Sequence, residues 1–82
     1  MYTTYILFSQ TAQRFYTGHC ENLSIRIEQH NSGRNKSTKY GIPWEIVYSQ
    51  ALSARDEAMS LEMKIKKRGA KRFLEDLRGS IG

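Results

Sequence analysis

The chain has one cysteine, one proline and two histidines in 82 residues. Each scarcity excludes something. Cys20 cannot form an internal disulfide, so stability must come from packing, which suits a reducing compartment. The apolar run at the N-terminus stops at Ser9 and carries no charge after Met1, so it reads as neither a signal peptide nor a membrane span. A cytoplasmic protein with no membrane partner is expected. His19, His30 and Cys20 are the only soft ligands, and no cysteine pair has zinc-site spacing. Nucleophilic triads find too few candidates, and no glycine-rich phosphate loop is present. Acidic residues are scarce at one end. Residues 1–62 carry six basic and six acidic side chains, whereas residues 63–82 carry seven basic against two acidic, so the whole net charge of +5 lies there. Such a cluster is the electrostatic footprint of a polyanion, or else an ordinary solvated helix face.

With this length the expectation is one domain, residues 1–82, with a single modest core. Two β-prone runs, Tyr2–Phe8 and Arg14–Cys20, flank the polar stretch Ser9–Gln13, which predicts a hairpin. Tyr5 and Tyr16 sit mid-strand, and Gly18 marks a place where backbone or ligand comes close. Asn22 as N-cap and Gly33 as terminator frame a helix of about nine residues. Leu23 and Ile27 form its buried stripe, Arg26 and His30 lie alongside, and Ile25 points away. Residues 32–43 read as a polar loop carrying Arg34, Lys36 and Lys39. A third strand, Trp44–Gln50, alternates Trp44, Ile46 and Tyr48 with Glu45, Val47 and Ser49.

Ser53 to Asp56 resembles a capping box opening a helix to about Arg68. Ala54, Ala58, Leu61 and Ile65 form its apolar stripe, with Glu62 at the edge. After Gly69 a last helix turns Phe73, Leu74 and Leu77 inward and its basic residues outward. The order β-β-α-β-α-α predicts an α/β fold, a small three-stranded sheet flanked by helices.

What remains chemically is two tyrosines, an arginine, a histidine and one carboxylate in a basic protein. That set suits phosphodiester hydrolysis. Glu62 can hold one hard divalent cation, Mg²⁺ or Mn²⁺, with water and phosphate oxygens completing the shell. Arg26 offers a permanently charged donor fork to developing negative charge. A phenol or imidazole would help deprotonate the attacking water, although an unperturbed phenol is a poor base at neutral pH.

Tyr5-Ile6-Leu7, then Tyr16-Thr17-Gly18, then Asn22 to Arg26, then His30 to Gly33, and finally Glu62 with Lys64 to Lys66 resemble the GIY-YIG nuclease domain, especially its small stand-alone bacterial members. The joint spacing carries the resemblance: Arg26 eight residues after Gly18, His30 four later, and Glu62 on the following helix. The resemblance implies a central antiparallel sheet and metal-dependent DNA cleavage with one cation on Glu62. It implies that Tyr5 and Tyr16 are the motif tyrosines, Gly18 the motif glycine and Arg26 the phosphate-contacting arginine. His30 falls at a position held by a catalytic tyrosine or histidine, and Tyr5 is the candidate general base or its relay. The first motif lacks its glycine, reading Thr3-Thr4-Tyr5. His19 stands where a lysine or other polar residue is frequent. The polar residue that many members carry beyond the glutamate would fall near Leu74, which is apolar.

Each residue also has an ordinary structural explanation. Tyr5 and Tyr16 suit a sheet, Arg26 a solvated helix face, His30 a helix C-terminus, and Glu62 an i,i+4 pair with Lys66. The expected function is a metal-dependent DNA endonuclease of low sequence specificity or with a preference for DNA shape. The alternative is a non-catalytic nucleic-acid-binding module of the same fold; a protein-interaction domain ranks last. Expected nucleic-acid contacts are Arg34, Lys36 and Lys39 from the loop and Lys66, Lys67, Arg68, Lys71 and Arg72 from the C-terminal segment. DNA is the expected partner, with RNA or branched DNA as alternatives. Oligomeric state is left open, with a monomer favoured.

Overall fold

Four consecutive side chains of the first strand, Thr4 to Leu7, are almost wholly shielded from solvent. A strand buried on two faces needs a layer on each side. A computed structural model, which describes residues 1–79, supplies both layers. Its elements are β1 (Tyr2–Ser9), β2 (Arg14–Cys20), α1 (Leu23–Asn31), β3 (Trp44–Leu52), α2 (Arg55–Arg68) and α3 (Ala70–Gly79). This is the expected β-β-α-β-α-α order. The sheet is antiparallel in the order β2-β1-β3, so β1 is central and β2 and β3 are edges. The last three residues of the expected 1–82 domain lie outside the described residues. No helix among those described is long and apolar enough to cross a membrane.

Alternation along β1 divides the core. Tyr5 and Leu7 face α1 and pack with Cys20 and Trp44, against which Tyr16, Leu23, Ile27 and Ile42 are laid. Ile6 faces the other way, packing with Ile65 and Phe73, backed by Tyr48, Leu61 and Leu74. On that face the Thr4 hydroxyl donates to the Ala58 carbonyl at 2.8 Å and docks α2 on the central strand.

Helix α1 starts where its cap residue predicts, with the Asn22 carboxamide oxygen accepting from the Ile25 N–H at 3.1 Å. Asn31, its last residue, clamps the helix to the third strand. Its Nδ2 donates to the Trp44 carbonyl at 3.0 Å and its Oδ1 accepts from the Trp44 N–H at 2.6 Å. The polar segment before β3 is tied down as well. It contains a short 3₁₀ turn, Lys39–Gly41, and the Thr38 carbonyl accepts from Trp44 Nε1 at 2.7 Å.

Four expectations need correction. Trp44, Ile46 and Tyr48 do not share a face. Ile6 pairs with Tyr48 but Leu7 pairs with Ile46, leaving Val47 as a bulge. The extra residue flips the strand's phase, so Trp44 joins the α1-side core and Tyr48 the α2-side core. The cap of α2 is shifted by one residue. Ala54 is the N-cap, and the Glu57 carboxylate accepts from the Ala54 N–H at 3.1 Å and from the Ser53 hydroxyl at 2.7 Å. Ala54 is accordingly exposed rather than part of the apolar stripe. Finally, Leu77 is exposed. Gly69, at φ 95°, turns the chain from α2 into α3, and α3 seats Phe73 in the core.

The Asn31 clamp satisfies both backbone groups of the residue that opens β3. Asn31→Ala leaves them unpartnered and is expected to lower the unfolding free energy by about 1–3 kcal/mol. Urea denaturation at constant m-value checks this. A loss under about 0.5 kcal/mol, the scatter of ordinary surface substitutions, would deny the clamp a net role.

Candidate active site

The hairpin register pairs Tyr5 with Gly18 and Leu7 with Tyr16, so both candidate phenols lie on the α1 face. Their ring centroids are 6.5 Å apart, and the His30 imidazole is 4.9 Å from Tyr16 and 6.2 Å from Tyr5. Tyr5 is 1% exposed and His30 fully buried, whereas Tyr16 is half-buried. Gly18 is what admits the Tyr5 phenol. A Cβ on Gly18 would stand 2.7 Å from the Tyr5 hydroxyl and 3.4 Å from the Tyr16 ring.

The Tyr5 hydroxyl is bonded to His30 Nε2 at 3.3 Å, and His30 Nδ1 is bonded to Thr38 Oγ1 at 2.9 Å. Thr38 Oγ1 spends its proton on the Asn35 carbonyl at 3.4 Å. With the Thr38 proton assigned to Asn35, Thr38 accepts from His30, the imidazole proton is on Nδ1, and Nε2 accepts from Tyr5. Burial supports both neutral forms. It raises the Tyr5 phenol well above its ordinary range, assisted by Tyr16 and opposed by Arg26. It also lowers the His30 imidazole, as does the nearby Arg26 charge.

Arg26 lies beside this group and is partly buried. With His19 and Arg55 it lines a cavity of about 360 Å³. Glu62 is placed differently. It projects from α2, which covers the opposite face of the sheet, and meets edge strand β2 at His19. Its Oε1 is 2.6 Å from His19 Nδ1, and its Oε2 is 2.7 Å from Lys66 Nζ. Burial pushes the Glu62 carboxyl up, but the hydrogen bonds from Lys66 and His19 outweigh it and hold the group below its ordinary value. The five candidates thus form two groups: Tyr5, Tyr16 and His30 with Arg26 alongside, and Glu62 across the edge of β2. The Glu62 charge still reaches Tyr5, as the weakest of the influences on that phenol.

Of the expected nucleic-acid contacts, Arg34, Lys36 and Lys39 are exposed on the loop. Lys66, Arg68, Lys71 and Arg72 line a groove of about 630 Å³ together with Phe15 and Tyr16; Lys67 is exposed outside it. Arg68 is committed to Asp76 through a two-pronged bond, Nε to Oδ2 at 2.8 Å and Nη2 to Oδ1 at 3.0 Å. It braces α2 against α3. Sequence reasoning missed His19 and Thr38 as partners of the site. Strand alternation was a usable signal for His19, since it opposes Gly18 in phase and must face α2. Nothing local signals Thr38.

Two measurements follow. His30 is lowered in the folded state, so below its ordinary value of 6.5 the unfolded chain binds the extra proton and the folded chain does not. Stability is present above that pH and declines as pH falls toward the folded value, by at most about 1.4 kcal/mol per pH unit. Denaturant titrations across this window should show the decline in the wild type and not in His30→Gln. Gly18→Ala is expected to displace the Tyr5 hydroxyl and break its bond to His30. In an NMR titration the His30 imidazole should then shift; an unchanged imidazole spectrum would refute the close approach.

The family model of the GIY-YIG catalytic domain matches residues 1–75. The UPF0213 proteins SpyM50708 of Streptococcus pyogenes serotype M5 (strain Manfredo) and SpyM3_1077 of serotype M3 are each 37% identical to the chain over 54 residues, 65% of this chain. The match spans 59% of the length of each of these curated relatives. The solution NMR structure of the UPF0213 protein BH0048 from Bacillus halodurans superposes with a TM-score of 0.57 at 31% identity, covering 96% of this chain and 87% of that one. With the model of the GIY-YIG catalytic domain matched over residues 1–75, the chain belongs to the GIY-YIG nuclease family.

Proposed function

We propose that the protein is a metal-dependent endonuclease that hydrolyses DNA phosphodiester bonds, with residues 1–82 acting as one nuclease domain. The observation that carries this reading is that the Tyr5 phenol is bonded to His30 and lies beside Tyr16 on the α1 face, while Glu62 meets the same edge strand, β2, at His19. The five residues thus form two neighbouring groups around β2, although 57 positions separate the first from the last.

Glu62 is the residue that would hold the cation. Its donor set fits a hard ion: the carboxylate is ionised at neutral pH and remains 17% exposed. Among the described residues no group of three or more His, Cys, Asp or Glu side chains is gathered, so Mg²⁺ or Mn²⁺ would keep most of its water. When bound, such an ion supplies Lewis-acid stabilisation of the phosphate and leaving oxygen.

The chain's own residues do the rest. Arg26 binds the phosphate and stabilises charge developing on it. Tyr16, the phenol on the groove, contacts the substrate strand. Tyr5 is the relay. Its oxygen takes a proton from the attacking water past Gly18, where no side chain covers it, and its own proton passes to Nε2 of His30. Burial makes His30 a weak acceptor, and the Arg26 charge weakens it further while that charge stands unopposed. A bound phosphate opposes that charge, so the relay gains proton affinity when substrate is in place.

Purified protein with Mg²⁺ or Mn²⁺ is expected to cut DNA, and Glu62→Gln to cut at least about 100-fold more slowly. Tyr5→Phe should lower the cleavage rate and remove the limb of its pH profile that reports the relay. Equal cleavage by Glu62→Gln would overturn the catalytic reading.

One observation favours a second reading, a nucleic-acid-binding module that does not cut. Both oxygens of Glu62 are already engaged by His19 and Lys66, as expected of a purely structural carboxylate. That reading predicts salt-sensitive DNA binding unchanged by Glu62→Gln and no cleavage with either cation.

A further inference from the structure

We propose that the strand to be cut is single-stranded where it crosses the site, with one unpaired base stacked on Phe15 in the groove along the outer edge of β2. This rests on the endonuclease reading and names its substrate class.

Phe15 is 36% exposed although its ring is aromatic and uncharged, and the ring packs on Phe8 at a centroid distance of 4.8 Å. It lines the same groove as Tyr16, Lys66, Lys71 and Arg72. Strand β2 is an edge, so the groove is open along its length, and the sheet puts no further strand over it. The groove also leads into the candidate site. Tyr16 belongs to both, and Lys66 joins the groove to the Glu62 carboxylate at 2.7 Å.

An aromatic face among cations is the pattern that grips an unpaired nucleotide. The ring stacks the base while the cations hold the flanking phosphates, and every base has a face to offer. A duplex keeps its bases stacked on one another and presents only phosphates to such a groove. It would gain from Lys71 and Arg72 and nothing from Phe15. The charge complementarity commits the groove to a polyanion, and the exposed ring selects the unpaired form. It follows that such a site reads no base sequence, because stacking is sequence-tolerant.

The test is fluorescence-anisotropy binding in EDTA, so that cleavage plays no part, with oligothymidine of about 12 nucleotides and a duplex of the same length. The oligothymidine is expected to bind at least about 10-fold tighter than the duplex. Phe15→Ala should weaken its binding at least about five-fold and leave duplex binding unchanged, and Phe15→Trp should restore it. An oligonucleotide with an abasic central stretch should bind wild type more weakly than oligothymidine, yet bind Phe15→Ala no worse than oligothymidine does. This last comparison needs no variant stability to be matched. Duplex bound as tightly as the single strand, or Phe15→Ala indistinguishable from wild type on oligothymidine, or Phe15→Trp as weak as Phe15→Ala, overturns the proposal. Failure of the wild type to cut any DNA with Mg²⁺ would instead overturn the endonuclease reading and leave the binding result as it stands.

Discussion

The period of two along β1 governs the arrangement of the molecule. Because Thr4, Tyr5, Ile6 and Leu7 are all buried, neighbouring side chains must enter different layers, and a slip of one residue would exchange them. Tyr5 goes to the α1 layer with Tyr16 and His30, while Ile6 anchors the α2 layer that carries Glu62. The candidate residues therefore cannot all meet on one face of the sheet. They approach one another only around β2, the edge strand, and there the chain places Gly18, whose missing side chain leaves room for the Tyr5 hydroxyl. The glycine of the second motif serves the geometry of the first motif's tyrosine.

Much of this was legible before any coordinates, and the reason is locality. The hairpin, the Asn22 cap and the α1 stripe each depend on residues within a turn or a strand pair of one another, so pattern and propensity read them. The errors come from single-residue shifts. The bulge at Val47 changes the phase of β3, and no propensity distinguishes a bulged valine from a paired one. The cap of α2 moved by one because Glu57 serves Ala54 where Asp56 was expected to serve Ser53. At the site the limit is different. Tyr5, Tyr16, Arg26, His30 and Glu62 are candidates through the resemblance that their joint spacing carries, but that spacing does not give their grouping. His19 meets Glu62 across 43 positions, and Thr38 reaches His30 from a loop with no regular period. Such contacts are set by how layers dock, which spacing along the chain does not encode.

The electrostatics follow from the same layering. On the α1 side Tyr5 and His30 are buried and neutral, with the Arg26 charge at their edge. Burial holds the Tyr5 phenol protonated and the His30 imidazole unprotonated, and the Thr38 bond gives the pair a direction, from phenol to imidazole. On the α2 side the groups are charged and half-open, with Glu62 between Lys66 and His19. A buried neutral pair on one face and an ionic cluster on the other is an economical division for a small chain. Burying the ions as well would cost several kcal/mol per charge, by the usual desolvation penalty, and a core of this size has little stability to spend against it.

That division also bears on what Lys66 and His19 contribute. An isolated carboxylate at the sheet edge would repel a phosphate. Flanked by Lys66 it presents a locally neutral or positive face to the groove, so a polyanion can approach before any cation is in place. The same contacts oppose a cation, because each N–H donor on Glu62 occupies an oxygen that a metal would need. In the proposed nuclease, Lys66 and His19 would therefore set a balance between admitting nucleic acid and admitting metal. A phosphate would tip that balance: an anion in the groove would draw Lys66 toward itself and free Oε2 of Glu62. In the proposed nuclease, substrate and cation would then be coupled ligands, each favouring the other through one lysine, and the ion pair between Glu62 and Lys66 would be the resting form of the site.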